Sequence, residues 1–177
     1  VMGFGCRQIH RETAYSMIAP TINVDGLICP AKEASIPVLD RGFLYGDSVY
    51  EVFRTYRGVP LFLDDHFERL ENSARLIQMQ ISQSREELLF EIKRTAKIAG
   101  VSHDEDAYVR YQITRGDGQV DLYPDPNLKT RYVIIVNTLP SHNAVFYDRG
   151  MYMMIPKVRR NPANALDPNI KGGNYLN

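Results

Sequence analysis

The sequence predicts an α+β fold with a second domain begun near its end, and three observations predict it. Strand-like segments rich in Val, Ile, Tyr and Phe occur early and again past residue 100. Two consecutive segments with helical apolar spacing lie between them, each opening on a capping-box pattern. Turn-rich residues then lead to one more strand-like run. Strands, two helices, strands and a new beginning is the element order of an α+β protein.

The first 20 residues carry no clear pattern and read as an N-terminal extension. Ile22 to Ile28 reads as a hairpin, because Asp25-Gly26 sits between two apolar pairs. A loop follows. The second half of VLDRGFLYGDSVYEVFRTYRGVPLFL is strand-like, with a turn at Arg57-Gly58 and Pro60 just beyond. Asp65, with Glu68 three residues on, predicts a helix start, and Phe67, Leu70, Ala74 and Ile77 form its apolar face. Ser84 with Glu87 predicts a second helix, striped by Leu88, Ile92, Ala96 and Ala99 and stopped by Gly100. Strands are expected in AYVRYQITRG, RYVIIVNT and RGMYMMIPKV. TLPSHNAVFYD, between the last two, carries Pro, Ser and Asn and reads as a linker. The expected division is an extension over 1–20, a small domain over 21–138, a linker over 139–148 and the start of a larger domain over 149–177.

Composition excludes several classes. Lys plus Arg and Asp plus Glu both number 21, so there is no basic excess to attract a phosphate backbone. Nucleic acid is not expected as a partner. No apolar run approaches the roughly 20 residues of a membrane span, and the first residues lack a signal-peptide layout. Cys6 and Cys29 have no metal-ligand spacing and read as reduced thiols, which points to the cytoplasm. His10, His66, His103 and His142 lie far apart and form no metal pair. RGDG, residues 115–118, has neither Walker nor Rossmann spacing.

Several residues can carry chemistry. Lys171 precedes two glycines that let backbone or ligand approach closely, after the turn-rich NPANALDPN. It reads either as an ordinary loop lysine or as an amine that, once deprotonated, attacks an aldehyde to form a Schiff base. Asn174 and Tyr175 follow closely enough to line the same cavity. Arg69 lies four residues after Asp65, as on a solvated ion-pair face. His66, one turn earlier, faces the same way and reads as structural. Tyr108 and Arg110 share one strand face, where a half-buried arginine calls for an acidic partner. Tyr45, Tyr50 and Arg54 belong to an aromatic-rich segment and read either as packing or as pocket lining.

Three blocks carry a resemblance. VLDRGFLYGDSVYEVFR (38–54), LDDHFERLENSARLI (63–77) and RRNPANALDPNIKGGNYLN (159–177) resemble, in order and spacing, the active-site segments of fold-type IV pyridoxal-phosphate enzymes. These are the class IV aminotransferases, and the chain resembles their branched-chain amino acid group from about residue 21 to the end. The resemblance implies the family's small domain and the start of its large one, with pyridoxal 5'-phosphate as cofactor. It implies that Lys171 holds the cofactor, that Arg69 binds its phosphate and that Tyr175 contacts its phenolic oxygen. It also makes Tyr45, Tyr50, Arg54, Tyr108 and Arg110 substrate-binding residues.

The Tyr108-x-Arg110 pair matches the branched-chain group, whereas the Arg-x-His pair of D-amino acid transaminases is missing from TRGDGQVDLYPD. Tyr50-Glu51-Val52 departs from the branched-chain Phe-Glu-Gly toward the D-amino acid pattern. The implied reaction moves an amino group between a branched-chain-like L-amino acid and a 2-oxo acid such as 2-oxoglutarate. D-amino acid transaminase and aminodeoxychorismate lyase are alternatives within the fold. A truncated, non-catalytic binding protein is the alternative of another class. The resemblance further implies a homodimer with the Tyr45 segment reaching the partner's site, and a large domain continuing beyond residue 177.

Overall fold

A computed structural model describes residues 19–102, 104–139 and 144–175. Nearly all of the expected N-terminal extension, with Cys6 and His10, lies outside these residues, as do His103 and His142. Six antiparallel strands form one sheet in the order β2-β1-β6-β5-β3-β4. They are β1 (Thr21–Val24), β2 (Leu27–Pro30), β3 (Ser48–Tyr56), β4 (Val59–Pro60), β5 (Ala107–Thr114) and β6 (Arg131–Thr138). The helices are α1 (Arg41–Tyr45), α2 (Leu63–Leu76), α3 (Arg85–Ile98) and α4 (Val145–Arg149).

The expected hairpin and the expected turn both form. Asp25-Gly26 (φ 47° and 90°) joins β1 to β2, and Arg57-Gly58 (φ 48° and 73°) joins β3 to β4. Positive φ at both central residues is the turn geometry that matches the twist of the flanking strands. Period-two alternation then sorts the sheet's faces. Val49 and Phe53 of β3, Val109, Tyr111 and Ile113 of β5, and Ile134 and Val136 of β6 form the buried face. Against it pack Phe67, Leu70 and Ala74 of α2 and Leu88 and Ile92 of α3. α2 lies over β3, while α3 lies over β1 and β6. Each large apolar side chain so buried contributes roughly 1.5–3 kcal/mol. Ser48, Tyr50, Val52 and Arg54 of β3 fall on the other face, with Tyr108, Arg110 and Gln112 of β5 beside them.

The second helix begins as its sequence predicts. Ser84 Oγ accepts from Glu87 N at 3.1 Å, and the Glu87 carboxylate accepts from Ser84 N at 2.7 Å. The first does not. α2 starts two residues before Asp65, from Phe62 at φ 48°, with no side-chain cap. Asp64 and Asp65 lie inside its first turn, where negative charge favours the helix N-terminus. The apolar stripe, which decides burial, is unaffected by that shift.

α1 escapes the apolar pattern because it is only five residues long. Asp40 caps it, accepting from Gly42 N and Phe43 N, and is itself fixed by a 2.7 Å bond from Thr114 Oγ1. The glycine of RGDG serves a close approach: a Cβ on Gly116 would meet Lys129 O at 2.0 Å. The strand expected over 149–158 does not form. Met151, Tyr152, Met153, Met154 and Ile155 are all exposed. Among the described residues no strand pairs with them, and an extended segment without a neighbouring ladder leaves its N–H and C=O groups to water. The expected linker contains most of α4; its residues 140–143 lie outside the described ones.

Candidate active site

The site grows from the open edge of β3. β4 pairs only with Thr55 and Tyr56, so the first half of β3 has one side free. The segment carrying Lys171 docks there. Tyr50 N donates to Lys171 O at 3.0 Å, and Val49 faces Gly172 in an isolated antiparallel bridge. A Cβ on Gly172 would lie 3.3 Å from Ser48 O. The glycine after the lysine is therefore what lets this backbone sit flush against the strand. From the other side α2 holds the same residue: Lys171 N donates to Ser73 Oγ at 3.2 Å, and Ser73 Oγ donates to Arg69 O at 2.8 Å.

A cavity of about 830 Å³ opens at this junction, lined by Tyr45, Arg69, Arg160, Lys171, Asn174 and Tyr175 among others. The Lys171 amine lies 4.4 Å from the centre of the Tyr50 ring. The Tyr50 hydroxyl is hydrogen-bonded to that of Tyr175. Across the sheet, the Arg110 guanidinium stacks on the same ring at 3.7 Å. Arg110 also donates to Gln112 Oε1 at 3.0 Å, and Gln112 Nε2 donates to Ser48 Oγ at 3.1 Å. The acidic partner expected for Arg110 is not found among the described residues; the aromatic face and an amide take its place.

Arg69 has a partner that sequence reasoning missed. Glu51, fully buried on the helix-facing side of β3, accepts from Arg69 Nε at 2.5 Å, from Arg69 Nη2 at 2.7 Å and from His66 Nδ1 at 2.8 Å. Asp65 is not the partner. An ionised carboxylate only accepts, so His66 carries its proton on Nδ1. Burial alone pushes the Glu51 carboxyl up, but the donors from Arg69 and His66 outweigh it and hold the group below its ordinary range. A signal was present: an acid at the position between Val49 and Phe53 breaks an otherwise apolar face. Such an acid requires a nearby cation.

The structure brings Lys171, Arg69, Tyr175 and Tyr45 to one cavity, with Tyr50 and Arg110 adjoining through the Tyr50 ring. It does not bring Arg54 there. That guanidinium lies over Tyr56 at 4.1 Å and pairs with Asp106 at 2.5 Å. Tyr108 stands opposite Arg54 in the β3–β5 register and does not line the cavity. Among the described residues no group of three or more His, Cys, Asp or Glu is placed to hold a metal. None of the described helices is long and apolar enough to cross a membrane.

The chain belongs to the family described as amino-transferase class IV, which matches residues 48–177. A protein of Methanocaldococcus jannaschii provisionally named a branched-chain-amino-acid aminotransferase is 33% identical over 156 residues, covering 88% of this chain and 52% of its own. The aminodeoxychorismate lyase of Bacillus subtilis is 32% identical over 157 residues, covering 88% and 52%. The chain thus spans about half the length of these two relatives. Among solved structures, a T.th. branched-chain amino acid aminotransferase complexed with N-(5'-phosphopyridoxyl)-L-glutamate superposes with a TM-score of 0.58 at 29% identity. That match covers 67% of this chain and 40% of the other.

Proposed function

We propose that the chain supplies the small domain and the lysine of a pyridoxal-phosphate aminotransferase. Its substrates are a branched-chain-like L-amino acid and a 2-oxo acid such as 2-oxoglutarate. The observation that carries this reading is the convergence of an amine (Lys171), a guanidinium (Arg69) and a phenol (Tyr175) on one cavity. That donor set fits a ligand bearing an aldehyde, a phosphate and a phenolic oxygen. The class IV relative bound to a phosphopyridoxyl compound supports the same ligand chemistry.

When bound, pyridoxal phosphate supplies the aldehyde carbon and an electron-withdrawing ring. The chain's own residues do the rest. Lys171 Nζ would hold the cofactor and, with its amine free, would take the proton from the substrate α-carbon. Arg69 grips the phosphate, since a guanidinium fork matches its oxygens. Tyr175 hydrogen-bonds the phenolic oxygen and is itself steadied by Tyr50. Arg110, a cation with no carboxylate partner among the described residues, receives the substrate carboxylate. The reading includes the expected domain division, a cytoplasmic homodimer and Tyr45 reaching toward the partner's site.

Lys171→Ala tests it: transamination is lost while circular dichroism keeps the folded signal. Retained transamination contradicts the reading. The lyase relative at 32% identity favours a second reading, in which the same site releases pyruvate from aminodeoxychorismate. Pyruvate release without any amino acceptor selects it; amino transfer dependent on a 2-oxo acid selects the first.

A further inference from the structure

We propose that Glu51 is a positioning residue, whose buried carboxylate holds Arg69 by one edge so that the opposite edge is preset to grip a phosphate in the Lys171 cavity. The proposal rests on the cofactor reading of that cavity.

Glu51 occupies a position that strand periodicity assigns to the core, between Val49 and Phe53, and it is fully buried. An ionised group there is costly unless every acceptor site is used. Four N–H groups meet it: Nε and Nη2 of Arg69, Nδ1 of His66 and, at 3.3 Å, the backbone N–H of Val52. A guanidinium carries five N–H bonds in a fixed plane. The clamp uses one on Nε and one on Nη2, and Nη2 also lies 3.3 Å from His66 Nδ1, which leaves the two on Nη1. The Arg69 side chain is 51% exposed and lines the cavity, so its unused edge lies on the wet side.

A free arginine loses much rotamer entropy when it binds an anion; one already clamped loses little. An opposing effect exists, because the Glu51 charge lowers the positive potential at the site. That charge is shared among four donors and stands behind the guanidinium, farther from the ligand than the guanidinium itself. Removing it would also turn an acceptor into an amide whose N–H faces the N–H groups of Arg69. Orientation therefore outweighs lost attraction.

The test compares equilibrium affinities of the full-length apo protein for pyridoxal phosphate and for pyridoxal, which lacks only the phosphate. Circular dichroism reports folding for every variant. Glu51→Gln should weaken pyridoxal phosphate about tenfold, the scale of one charge-assisted hydrogen bond, and leave pyridoxal unchanged. Glu51→Asp, which keeps the charge but withdraws it by one methylene, should give the same selective loss. On an Arg69→Ala background, Glu51→Gln should add nothing.

If Arg69→Ala itself leaves the ratio of the two affinities unchanged, the phosphate reading of the cavity fails and takes this proposal with it. If Arg69→Ala lowers the ratio but both Glu51 variants leave it unchanged or raise it, the positioning role alone is overturned. Equal weakening of both ligands by the Glu51 variants reduces Glu51 to a structural ion pair and also overturns it.

Discussion

The backbone N–H of Lys171 donates to the Ser73 hydroxyl at 3.2 Å, and that same hydroxyl donates to Arg69 O at 2.8 Å. One fully buried serine on α2 therefore ties the residue proposed to hold the cofactor to the residue proposed to grip its phosphate. The main chains of the two residues are thus linked through a helix.

Ser73→Ala removes that tie. A buried amide left without an acceptor costs about 1–3 kcal/mol. The expected result is a loss of this size in urea unfolding, together with weaker retention of pyridoxal phosphate on dialysis. Unchanged stability would mean that Lys171 N finds another acceptor.

Gly172→Ala places a methyl group 3.3 Å from Ser48 O. Backbone oxygen gives way less readily than a side-chain end, so the Val49–Gly172 bridge should loosen. We expect about 1 kcal/mol of destabilisation and a larger proportional loss of cofactor affinity than of stability. Differential scanning calorimetry and cofactor titration measure the two effects.

How much of this was legible in the sequence depends on how local each cause is. The Asp25-Gly26 hairpin, the Arg57-Gly58 turn, the Ser84–Glu87 cap and the stripes of α2 and α3 arise from neighbouring residues and were readable. The start of α2 was not, because Asp65 and Glu68 carry the spacing of a capping box inside a helix that begins earlier. RGMYMMIPKV has strand composition, yet a strand also needs a partner, which no composition reports. Lys171, Arg69 and Tyr175 were named through resemblance to a family, and they line one cavity. Glu51 was legible only as an acid on an apolar strand face; its partners, 15 and 18 residues away in the chain, were not. Arg54 and Tyr108 carry suitable chemistry on the correct sheet face but stand too far along the strands to reach the cavity.

Acid should loosen the site through Glu51. Its folded carboxyl lies below the ordinary 4.5 despite burial, because Arg69 and His66 donate to it from α2 while Tyr111 faces it from β5. A depressed value contributes stability that is present above the unfolded value and is lost as pH falls through the folded one. Urea midpoints should therefore drop below about pH 4.5, and less steeply in Glu51→Gln. Parallel acid limbs in the two proteins would contradict the assignment.

Arg54→Ala should leave the KM for the amino acid unchanged. Its ion pair with Asp106 is partly exposed, at 40% and 29%, so the cost in stability should be small. Steady-state kinetics with a rise in KM comparable to that of Arg110→Ala would return Arg54 to the substrate site.

The most direct test of the central claim is borohydride reduction of the protein purified from its native source, followed by peptide mapping with mass spectrometry. The account predicts a pyridoxyl group on Lys171 and on no other lysine. An unmodified Lys171 in protein that carries bound cofactor, or a pyridoxyl group on a different lysine, would contradict it.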